Sequence, residues 1–360
     1  MTKQEHVIVG ISGGVDSAVA ACVLIEKGFR VTGLNIKILD NSDDNLQLEK
    51  SPLIISDLPE YRFPVFSLNL SGSFRREIIN YFQKDYLAGK TPNPCMVCNK
   101  LIKWNGLLKG ADLLQGDYVA TGHYARIDCR KGIYRLLKGT DAQKDQSYFL
   151  WMLSSGELSR TILPVGGFTK PEVRELARRF GVRSAEKKES QEICFVPDNN
   201  YRTFLKSSLP GLSEKLKGGE IVDAEGKIIG RHTGYPFYTV GQRKGLGISS
   251  PIPLYVNRLD AEKNRVYVGK KDMLQCRRLI ADGMNWISMT RPSAPTKAAA
   301  RIRYRDTEET CTIVPAGENS VEVVFDKPKQ SVTPGQAVVF YLGDEVIGGG
   351  IIREAIRESV

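Results

Sequence analysis

The chain has 360 residues, of which 41% are hydrophobic and 26% are charged, a composition typical of globular proteins and a length that accommodates two or three domains. This composition excludes the disordered and fibrous classes, and the sequence contains no run of about 18 apolar residues that would predict a membrane-spanning helix. The formal charge of +10 favours a polyanionic partner.

The first predicted elements are a buried β-branched strand at residues 6–11 and a helix at residues 18–27. The turn between them reads SGGVDS, at residues 12–17. Its glycines let backbone N–H groups approach a ligand closely, and the start of the following helix adds donors with a partial positive charge. The turn is therefore a candidate phosphate site; the alternative is a tight turn in which Asp16 or Ser17 caps the helix. It is not a Walker A loop, because no Gly-Lys-Ser/Thr follows, and it lacks G-x-G-x-x-G.

The rest of the first half alternates strands and helices, as a doubly wound parallel α/β sheet requires. Strands are predicted at residues 31–36, 65–68 and 118–121. Helices are predicted at residues 74–89, 99–114 and 170–181. Residues 39–62 are polar and weakly periodic, so we expect a loop there.

Past residue 199 the pattern changes to short strands separated by turn signals. A small β unit is predicted at residues 218–232, and further strands at residues 298–304, 311–314, 321–325 and 337–341. We therefore expect three domains: an α/β nucleotide-binding catalytic domain at residues 1–198, a small central domain at 199–273, and a C-terminal β-barrel at 274–360.

Two stretches place cysteines in a reactive setting. Cys95 and Cys98 form a C-x-x-C just before the predicted helix at 99–114, and a thiol at a helix N-terminus has its thiolate stabilised. A structural zinc site would need a second such pair or paired histidines, and the chain has only three histidines. Cys194 follows Lys187 and Lys188 in a charged loop; taken alone, it would most often be a buried core thiol.

The cysteine content also bears on the cellular compartment. Seven cysteines are an odd number spread over a long chain, and no signal-peptide pattern precedes the first strand. We therefore expect a cytoplasmic protein whose cysteines act as thiols, metal ligands or catalytic groups rather than as a disulfide framework.

The SGGVDS turn resembles the pyrophosphatase loop of the PP-loop ATPases. Further motifs run along nearly the whole chain. With SGGVDS at 12–17 they are TPNPxxxCN at 91–99, ATGHYAR at 120–126, KDQSYFL at 144–150, PVGxxxKPxVRxLA at 164–177, ICF at 193–195, YTVGQRKGLG at 238–247, RYR at 303–305, TPGQAVVFY at 333–341 and GGGII at 348–352. Through these motifs the chain as a whole resembles the tRNA-specific 2-thiouridylase family.

The resemblance implies a sulfurtransferase that replaces the C2 oxygen of the wobble uridine, position 34 of tRNA, with sulfur. That oxygen is a poor leaving group, so adenylation by ATP activates it, and a cysteine persulfide supplies a strong sulfur nucleophile. Carried over by position, Cys194 is the persulfide carrier and Cys98 the second catalytic cysteine, which attacks the persulfide. Pyrophosphate and AMP leave, and a Cys98–Cys194 disulfide must be reduced before the next turnover.

The resemblance also implies binding residues and partners. Those implied for ATP with Mg²⁺ are Gly10, Ile11, Ser12, Gly13, Gly14, Val15, Asp16, Ser17, Ile36 and Gly122. Those implied for the target base and tRNA are Asn93, Pro94, Cys95, His123, Lys144, Asp145, Gln146, Arg303, Tyr304 and Gln336. Candidate stacking partners for the unstacked base are Tyr124, Tyr148 and Tyr304. We expect a monomer that receives sulfur from a cysteine desulfurase or a relay protein.

Several of these positions have simpler interpretations. His123 can be a core histidine, and residues 144–146 can be a solvated turn. Arg301, Arg303 and Arg305 alternate as on one strand face, which suits either a solvent-exposed barrel wall or a phosphate backbone.

The sequence departs from the family pattern in three places. Many members have Asp where this chain has Cys95, so Cys95, Cys98 and Cys194 could instead ligate a [4Fe–4S] cluster whose open iron binds hydrosulfide. Ile36 stands where Met is common. Residues 39–62 are shorter than the usual helical insertion, so docking of a sulfur donor or of tRNA can differ.

Two other functional classes fit part of the sequence. Another PP-loop adenylating enzyme would share only the first motif, and the motifs at 238–247 and 333–336 argue against it. A non-catalytic RNA-binding protein would have no reason to keep Asp16, Cys98 and Cys194 in one chain.

Overall fold

The computed structural model describes residues 4–187 and 193–357. The N-terminal part contains strands β1 (His6–Gly10), β2 (Arg30–Lys37), β3 (Asn45–Lys50), β4 (Val65–Asn69), β5 (Tyr118–Ala120), β6 (Ala125–Arg130), β7 (Ile133–Lys138) and β8 (Thr161–Ile162). Its helices are α1 (Val15–Glu26), α2 (Ser71–Phe74), α3 (Asn80–Leu87), α4 (Pro94–Cys98), α5 (Asn105–Leu113), α6 (Ser155–Ser159) and α7 (Lys170–Arg179).

Six of these strands form one sheet in the order β3-β4-β2-β1-β5-β8, parallel except for β3. Strand β1 lies inside the sheet and is buried on both faces, which explains its continuous apolar sequence. Ile8 faces a core shared with Leu34 and Leu107, whereas Val7 and Val9 face the side of α1. The predicted doubly wound parallel α/β sheet is confirmed.

The strand order reverses at β1. The chain moves from β1 outward to β2 and β4, then returns to place β5 on the other side of β1. In doubly wound sheets, ligands bind beyond the carboxyl ends of the strands at such a switch point. The turn at residues 12–17 follows β1, and Gly122 and His123 follow β5. Both segments therefore line the crevice at this switch point.

Two stretches differ from the predicted elements. Residues 39–62 were expected as a loop but contain β3, and the reason is that β3 is an edge strand whose exposed, polar side chains leave no apolar periodicity. Residues 125–138 form the hairpin β6–β7, which the sequence analysis did not predict. Its residues are mostly half-buried, so its alternation is weak.

The two long predicted helices are confirmed, but each contains a π-helical turn. Arg75–Ile79 joins α2 to α3, and Asn99–Trp104 joins α4 to α5. The second helix therefore begins at Pro94, five residues earlier than expected.

The central part contains α8 (Tyr201–Ser208), α9 (Leu212–Leu216), β9 (Gly219–Val222), β10 (Ile228–His232), β11 (Tyr255–Asp260) and β12 (Arg265–Gly269). Its four strands form a sheet in the order β10-β9-β12-β11. It packs on the N-terminal part through aromatic rings. The ring centroids of Phe204 and Phe82 are 5.9 Å apart, and Tyr201 stacks on Tyr86 with ring centroids 4.7 Å apart.

The C-terminal part is a closed barrel, as predicted. Its strands are β13 (Gln275–Trp286), β14 (Thr296–Arg301), β15 (Glu309–Gly317), β16 (Ser320–Gln330), β17 (Ala337–Leu342) and β18 (Glu345–Ile356). They run in the order β13-β16-β15-β14-β17-β18, and β13 pairs with β18 to close the ring. The hairpin β6–β7 joins this sheet, because β7 pairs with the start of β18. The domain limits at 198/199 and 273/274 stay predictions.

No helix within residues 4–187 and 193–357 combines the length and the apolar character needed to cross a membrane.

Candidate active site

The turn after β1 is built from small residues with an open side. Gly13 has φ +77°, which favours glycine, and a side-chain carbon placed on it would meet nothing within 4 Å. Behind the turn, the Ser17 hydroxyl donates to the Gly14 carbonyl over 3.0 Å and accepts from the Ser12 backbone N–H over 3.3 Å. The turn therefore keeps its shape through its own hydrogen bonds and has space at the N-terminus of α1 for an anionic group.

Asp16 is paired with a buried lysine. Its Oδ1 lies 2.6 Å from Lys170 Nζ and accepts a hydrogen bond of 2.8 Å from the Tyr124 hydroxyl. Lys170 is 7% exposed and begins α7. Neither partner was predicted from the sequence, although Lys170 lies in the KP of the motif at 164–177. The pair puts a buried positive charge beside the turn.

Gly122 fixes the distance between β5 and α1. A side-chain carbon at this position would lie 2.5 Å from the carbonyl carbon of Asp16 and 2.6 Å from the backbone nitrogen of Ser17. Only glycine therefore lets the two chain segments touch. Ile36, predicted for the adenine, is half-buried and packs against Gly106 of α5.

The C-x-x-C begins a helix rather than preceding one. The Asn93 side chain caps α4 by accepting from the Cys95 N–H over 3.2 Å, and Cys98 is the fifth helical residue. Cys98 is 6% exposed, and burial raises the pKa of its thiol to about 12. Burial likewise raises the pKa of Cys95. The stabilised thiolate expected at a helix N-terminus is not found for Cys98, because burial favours the neutral thiol.

Lys103 is a functional candidate that the sequence analysis missed. Its positive charge lowers the pKa of Cys95, Cys98 and Cys194, against the raising effect of desolvation at each thiol. Lys103 is exposed and lies in the π-helical turn. A π helix closes its hydrogen bonds over five residues, so Lys103 comes round to the face of Cys98, five positions earlier. The sequence could not indicate this role, because an α helix would place Lys103 on a different face from Cys98.

The three thiols are close enough to interact electrostatically, since Cys194 raises the pKa of both Cys95 and Cys98. All three are free, and Cys194 is exposed. Within the described part of the chain, no three His, Cys, Asp or Glu side chains are grouped as a metal site. In this arrangement the residues suggested for a [4Fe–4S] cluster do not form a ligand set.

His123 joins the two halves of the site. It follows β5 at the crevice, and its Nδ1 is 2.8 Å from the Thr121 hydroxyl. Its ring centroid lies 5.5 Å from that of Trp104 on the cysteine helix, which is the continuous helical segment at 94–113 that carries Cys95 and Cys98. Burial, and then the charge of Lys103, lower its pKa to about 3. The imidazole is therefore neutral at physiological pH.

The loop at 144–146 is held by hydrogen bonds to the buried side chain of Asp145. Asp145 is 3% exposed, and its carboxylate accepts from the N–H groups of Gly139 and Ser147, the Ser147 hydroxyl and Arg301. This corrects the expectation that Asp145 faces tRNA, because its acceptors are already occupied. The Gln146 side chain accepts from the Tyr124 N–H over 2.9 Å, while Lys144 is half-buried. These two remain predicted tRNA contacts.

Two of the three candidate stacking partners are also corrected. Tyr124 is 3% exposed and Tyr148 is fully buried, with its hydroxyl donating to the Ala337 carbonyl over 3.0 Å. Neither ring can receive a base in this structure. Tyr304 is half-buried and lies 4.5 Å from the ring of Phe149.

The predicted barrel contacts lie near the cysteine helix. Strand β14 ends at Arg301, so the proposed alternation of arginines on one strand face is wrong: Arg301 is tied to Asp145, and Arg303 is exposed on a turn. The Gln336 side chain donates to the Thr91 carbonyl over 2.7 Å. The barrel thereby supports the segment that leads to Asn93, Pro94 and Cys95.

Comparisons with known proteins cover the whole chain. Family models match the tRNA methyl transferase HUP domain at residues 5–198, the tRNA methyl transferase PRC-barrel domain at 202–270 and the aminomethyltransferase beta-barrel domain at 276–352.

Full-length relatives carry the name tRNA-specific 2-thiouridylase MnmA. The protein of Chlorobium phaeobacteroides (strain BS1) is 77% identical over 99% of this chain and 100% of its own length. That of Chlorobaculum tepidum is 59% identical over 100% of this chain and 98% of its own length. That of Halothermothrix orenii is 45% identical over 97% of this chain and 99% of its own length. The chain therefore belongs to the tRNA-specific 2-thiouridylase family.

Proposed function

We propose that this protein is a tRNA-uridine 2-sulfurtransferase that uses ATP to thiolate the wobble uridine, with Cys194 as persulfide carrier and Cys98 as second catalytic cysteine. The observation that carries the proposal is the position of His123. It lies beyond β5, beside the open turn, and contacts Trp104 on the helix that carries Cys95 and Cys98. A nucleotide site and a thiol site therefore share one crevice.

The nucleotide half suits a phosphate ester. The open side of Gly13 and the start of α1 offer N–H donors to ATP, and the buried Lys170 ammonium adds positive charge nearby. Mg²⁺ usually binds through one or two carboxylates together with substrate phosphates. Asp16 fits that role: Tyr124 and Lys170 both bind its Oδ1, so Oδ2 is the oxygen that would bind the metal ion. Mg²⁺ would neutralise phosphate charge as pyrophosphate leaves.

The thiol half suits transfer of one sulfur atom. Attack of the Cys98 thiolate on the inner sulfur of a Cys194 persulfide forms the Cys98–Cys194 disulfide and releases hydrosulfide. Hydrosulfide adds to the adenylated C2, and AMP leaves with the former C2 oxygen. Two electrons from a cellular thiol reductant restore the cysteines. Exposure of Cys194 suits loading by a sulfur-donor protein, and burial of Cys98 keeps its thiol protonated until substrate is bound.

The proposal is tested with purified protein, ATP, an unmodified tRNA transcript, cysteine and a cysteine desulfurase. We expect 2-thiouridine in digested tRNA from the wild type and none from Cys194→Ser or Cys98→Ser, with tRNA binding retained. Cys129→Ser is the matched control, because Cys129 is exposed on β6. A wild type that forms no 2-thiouridine, or a Cys194→Ser variant that does, would contradict the proposal.

The cluster route is tested at Cys95. In the persulfide route Cys95 is not a reacting group, so Cys95→Asp is expected to keep activity. Both proteins are purified without oxygen, iron and labile sulfide are quantified, and thiolation is assayed with metal chelated. Stoichiometric iron whose removal stops the wild-type reaction would overturn the persulfide route; full activity of metal-free, persulfide-charged protein would eliminate the cluster.

A further inference from the structure

The turn that carries Arg303 and Tyr304 is held by an ion pair beneath it. Lys329 Nζ on β16 lies 2.7 Å from Asp306 Oδ2, and the two side chains are 7% and 8% exposed. Neither residue belongs to a motif identified in the sequence.

This pair also satisfies the backbone of the turn. The Asp306 carboxylate accepts from the Ile302 N–H over 3.1 Å, and Lys329 donates to the Thr307 carbonyl over 2.6 Å. The two charges therefore hold both ends of the segment from 302 to 307 at once. A turn anchored in this way presents its outward side chains in one arrangement.

The outward side of the turn leads to the cysteine helix. Tyr304 lies 4.5 Å from the ring of Phe149, and the Phe149 carbonyl accepts from the Asn99 side chain over 3.1 Å. Asn99 follows Cys98 directly. The shape of a barrel turn is thus connected, through one ring contact and one hydrogen bond, to the thiol site.

We propose that Lys329 is a positioning residue for tRNA, which acts through Asp306 to hold Arg303 and Tyr304 ready beside the thiol site. Lys329 itself is too buried to meet the substrate. The inference rests on the proposed function only in naming tRNA as the ligand. Its consequence is that removing the pair weakens tRNA binding without removing any group that touches tRNA.

A double variant separates positioning from stability. Lys329→Met alone leaves a buried carboxylate without its cation, which destabilises the fold, whereas Lys329→Met with Asp306→Leu replaces both charges by apolar groups and is expected to recover most of the thermal stability. The double variant still lacks the acceptor for Ile302 and the donor for Thr307. Because two side chains must then be ordered on binding, we expect a tRNA Kd raised about tenfold and an unchanged kcat at saturating tRNA.

The control is Lys297→Met. Lys297 pairs with Asp326 over 3.1 Å and joins β14 to β16 on the barrel surface, with side chains 70% and 48% exposed. Like Lys329→Met alone, this variant removes one lysine charge from the barrel, but it leaves the turn unaffected, so its Kd is expected to match the wild type.

Binding is measured by fluorescence anisotropy with labelled tRNA, at a temperature at which circular dichroism shows every variant to be folded. A wild-type Kd in the double variant would overturn the inference, and so would an equal loss in Lys297→Met. Absence of 2-thiouridine formation by the wild type would contradict the proposed function instead, since binding is read independently of catalysis.

Discussion

At the scale of single residues, the thiol site is governed by the opposition of burial and one nearby cation. Burial raises the pKa of Cys95 and Cys98, partial desolvation raises the pKa of the exposed Cys194, and the charge of Lys103 acts against the rise at all three. A thiolate is the reactive form of cysteine. Lys103 therefore influences how much reactive sulfur exists at a given pH.

Lys103→Met is expected to make Cys194 less reactive at neutral pH. The pKa of Cys194 is already raised, so its thiolate forms only as the pH rises, and loss of the cation moves that rise to still higher pH. The rate of alkylation by iodoacetamide, followed by mass spectrometry from pH 7 to 10, measures the shift. Exposed Cys129 in the same protein is the internal control. Superimposable Cys194 profiles for the two proteins would contradict the expected role of Lys103.

Asp16→Ala is expected to stop ATP-dependent pyrophosphate release and to destabilise the fold. The buried Lys170 ammonium loses its ion-pair partner, and breaking such a pair costs about 3 kcal/mol. Glu26→Ala is the matched control: Glu26 also joins α1 to α7, through Arg179, but both side chains are well exposed, so a loss of under about 1 kcal/mol is expected. Urea unfolding and a pyrophosphate assay check both variants. Equal losses of stability would show that burial of the Asp16 pair does not matter.

At the scale of elements, the π-helical turn at Asn99–Trp104 brings Lys103 to the thiols and Trp104 to His123. A tightly wound α helix would separate these groups, and the sequence contains no sign of the change in winding. The elements that could be predicted were those with strong apolar patterns, such as β1 and α1. The strand β3 and the hairpin β6–β7 could not be predicted, because their backbone pairing leaves many side chains exposed or half-buried.

The candidate site was predictable to a similar extent. The SGGVDS turn and the cysteines are contiguous motifs, so the sequence displays them. The pairing of Asp16 with Lys170, and of Asp145 with Arg301, joins residues more than 150 positions apart. Spacing along the chain contains no information about such contacts. For the same reason the sequence could not show that Tyr148 is buried, since the barrel that covers it comes much later.

Gly122→Ala is expected to destabilise the crevice and reduce ATP-dependent activity. The added methyl carbon would lie 2.5 Å from the backbone of Asp16, and such overpacking against backbone costs about 3 kcal/mol. Gly167→Ala is the control, because nothing lies within 4 Å of its added carbon; a change of under about 0.5 kcal/mol is expected there. Urea unfolding and pyrophosphate release are measured for both. Wild-type values for Gly122→Ala would disprove the close approach.

At the scale of the whole molecule, the barrel and the catalytic part share a core. Trp104 and Tyr148 from one side pack in the same apolar cluster as Val339 and Tyr341 from the other. Asn285 of β13 donates to the carbonyls of Trp151 and Leu153. The predicted tRNA-contacting surface and the thiol site are therefore joined by buried contacts and held in one arrangement.

The barrel is accordingly expected to unfold together with the N-terminal part. A shared core means that neither side keeps its buried apolar surface when the other unfolds. Differential scanning calorimetry of the full chain is expected to show a single transition for both, and Asn285→Ala is expected to lower its midpoint because two buried carbonyls lose their donor. Two separate transitions, with only one of them shifted by Asn285→Ala, would contradict this coupling.

During protein synthesis, β7 is made long before β18, the strand with which it pairs. Arg135 on β7 precedes its ion-pair partner Glu345 on β18 by 210 residues. At a synthesis rate of about 5–20 residues per second, the edge of β7 stays unpaired for roughly 10–40 s before β18 is made. An unpaired strand edge is a template for aggregation, and charged side chains reduce that risk. We therefore expect Arg135 and Lys138 to limit aggregation of the nascent chain. In the folded protein the same two side chains bind Glu345 and Glu308.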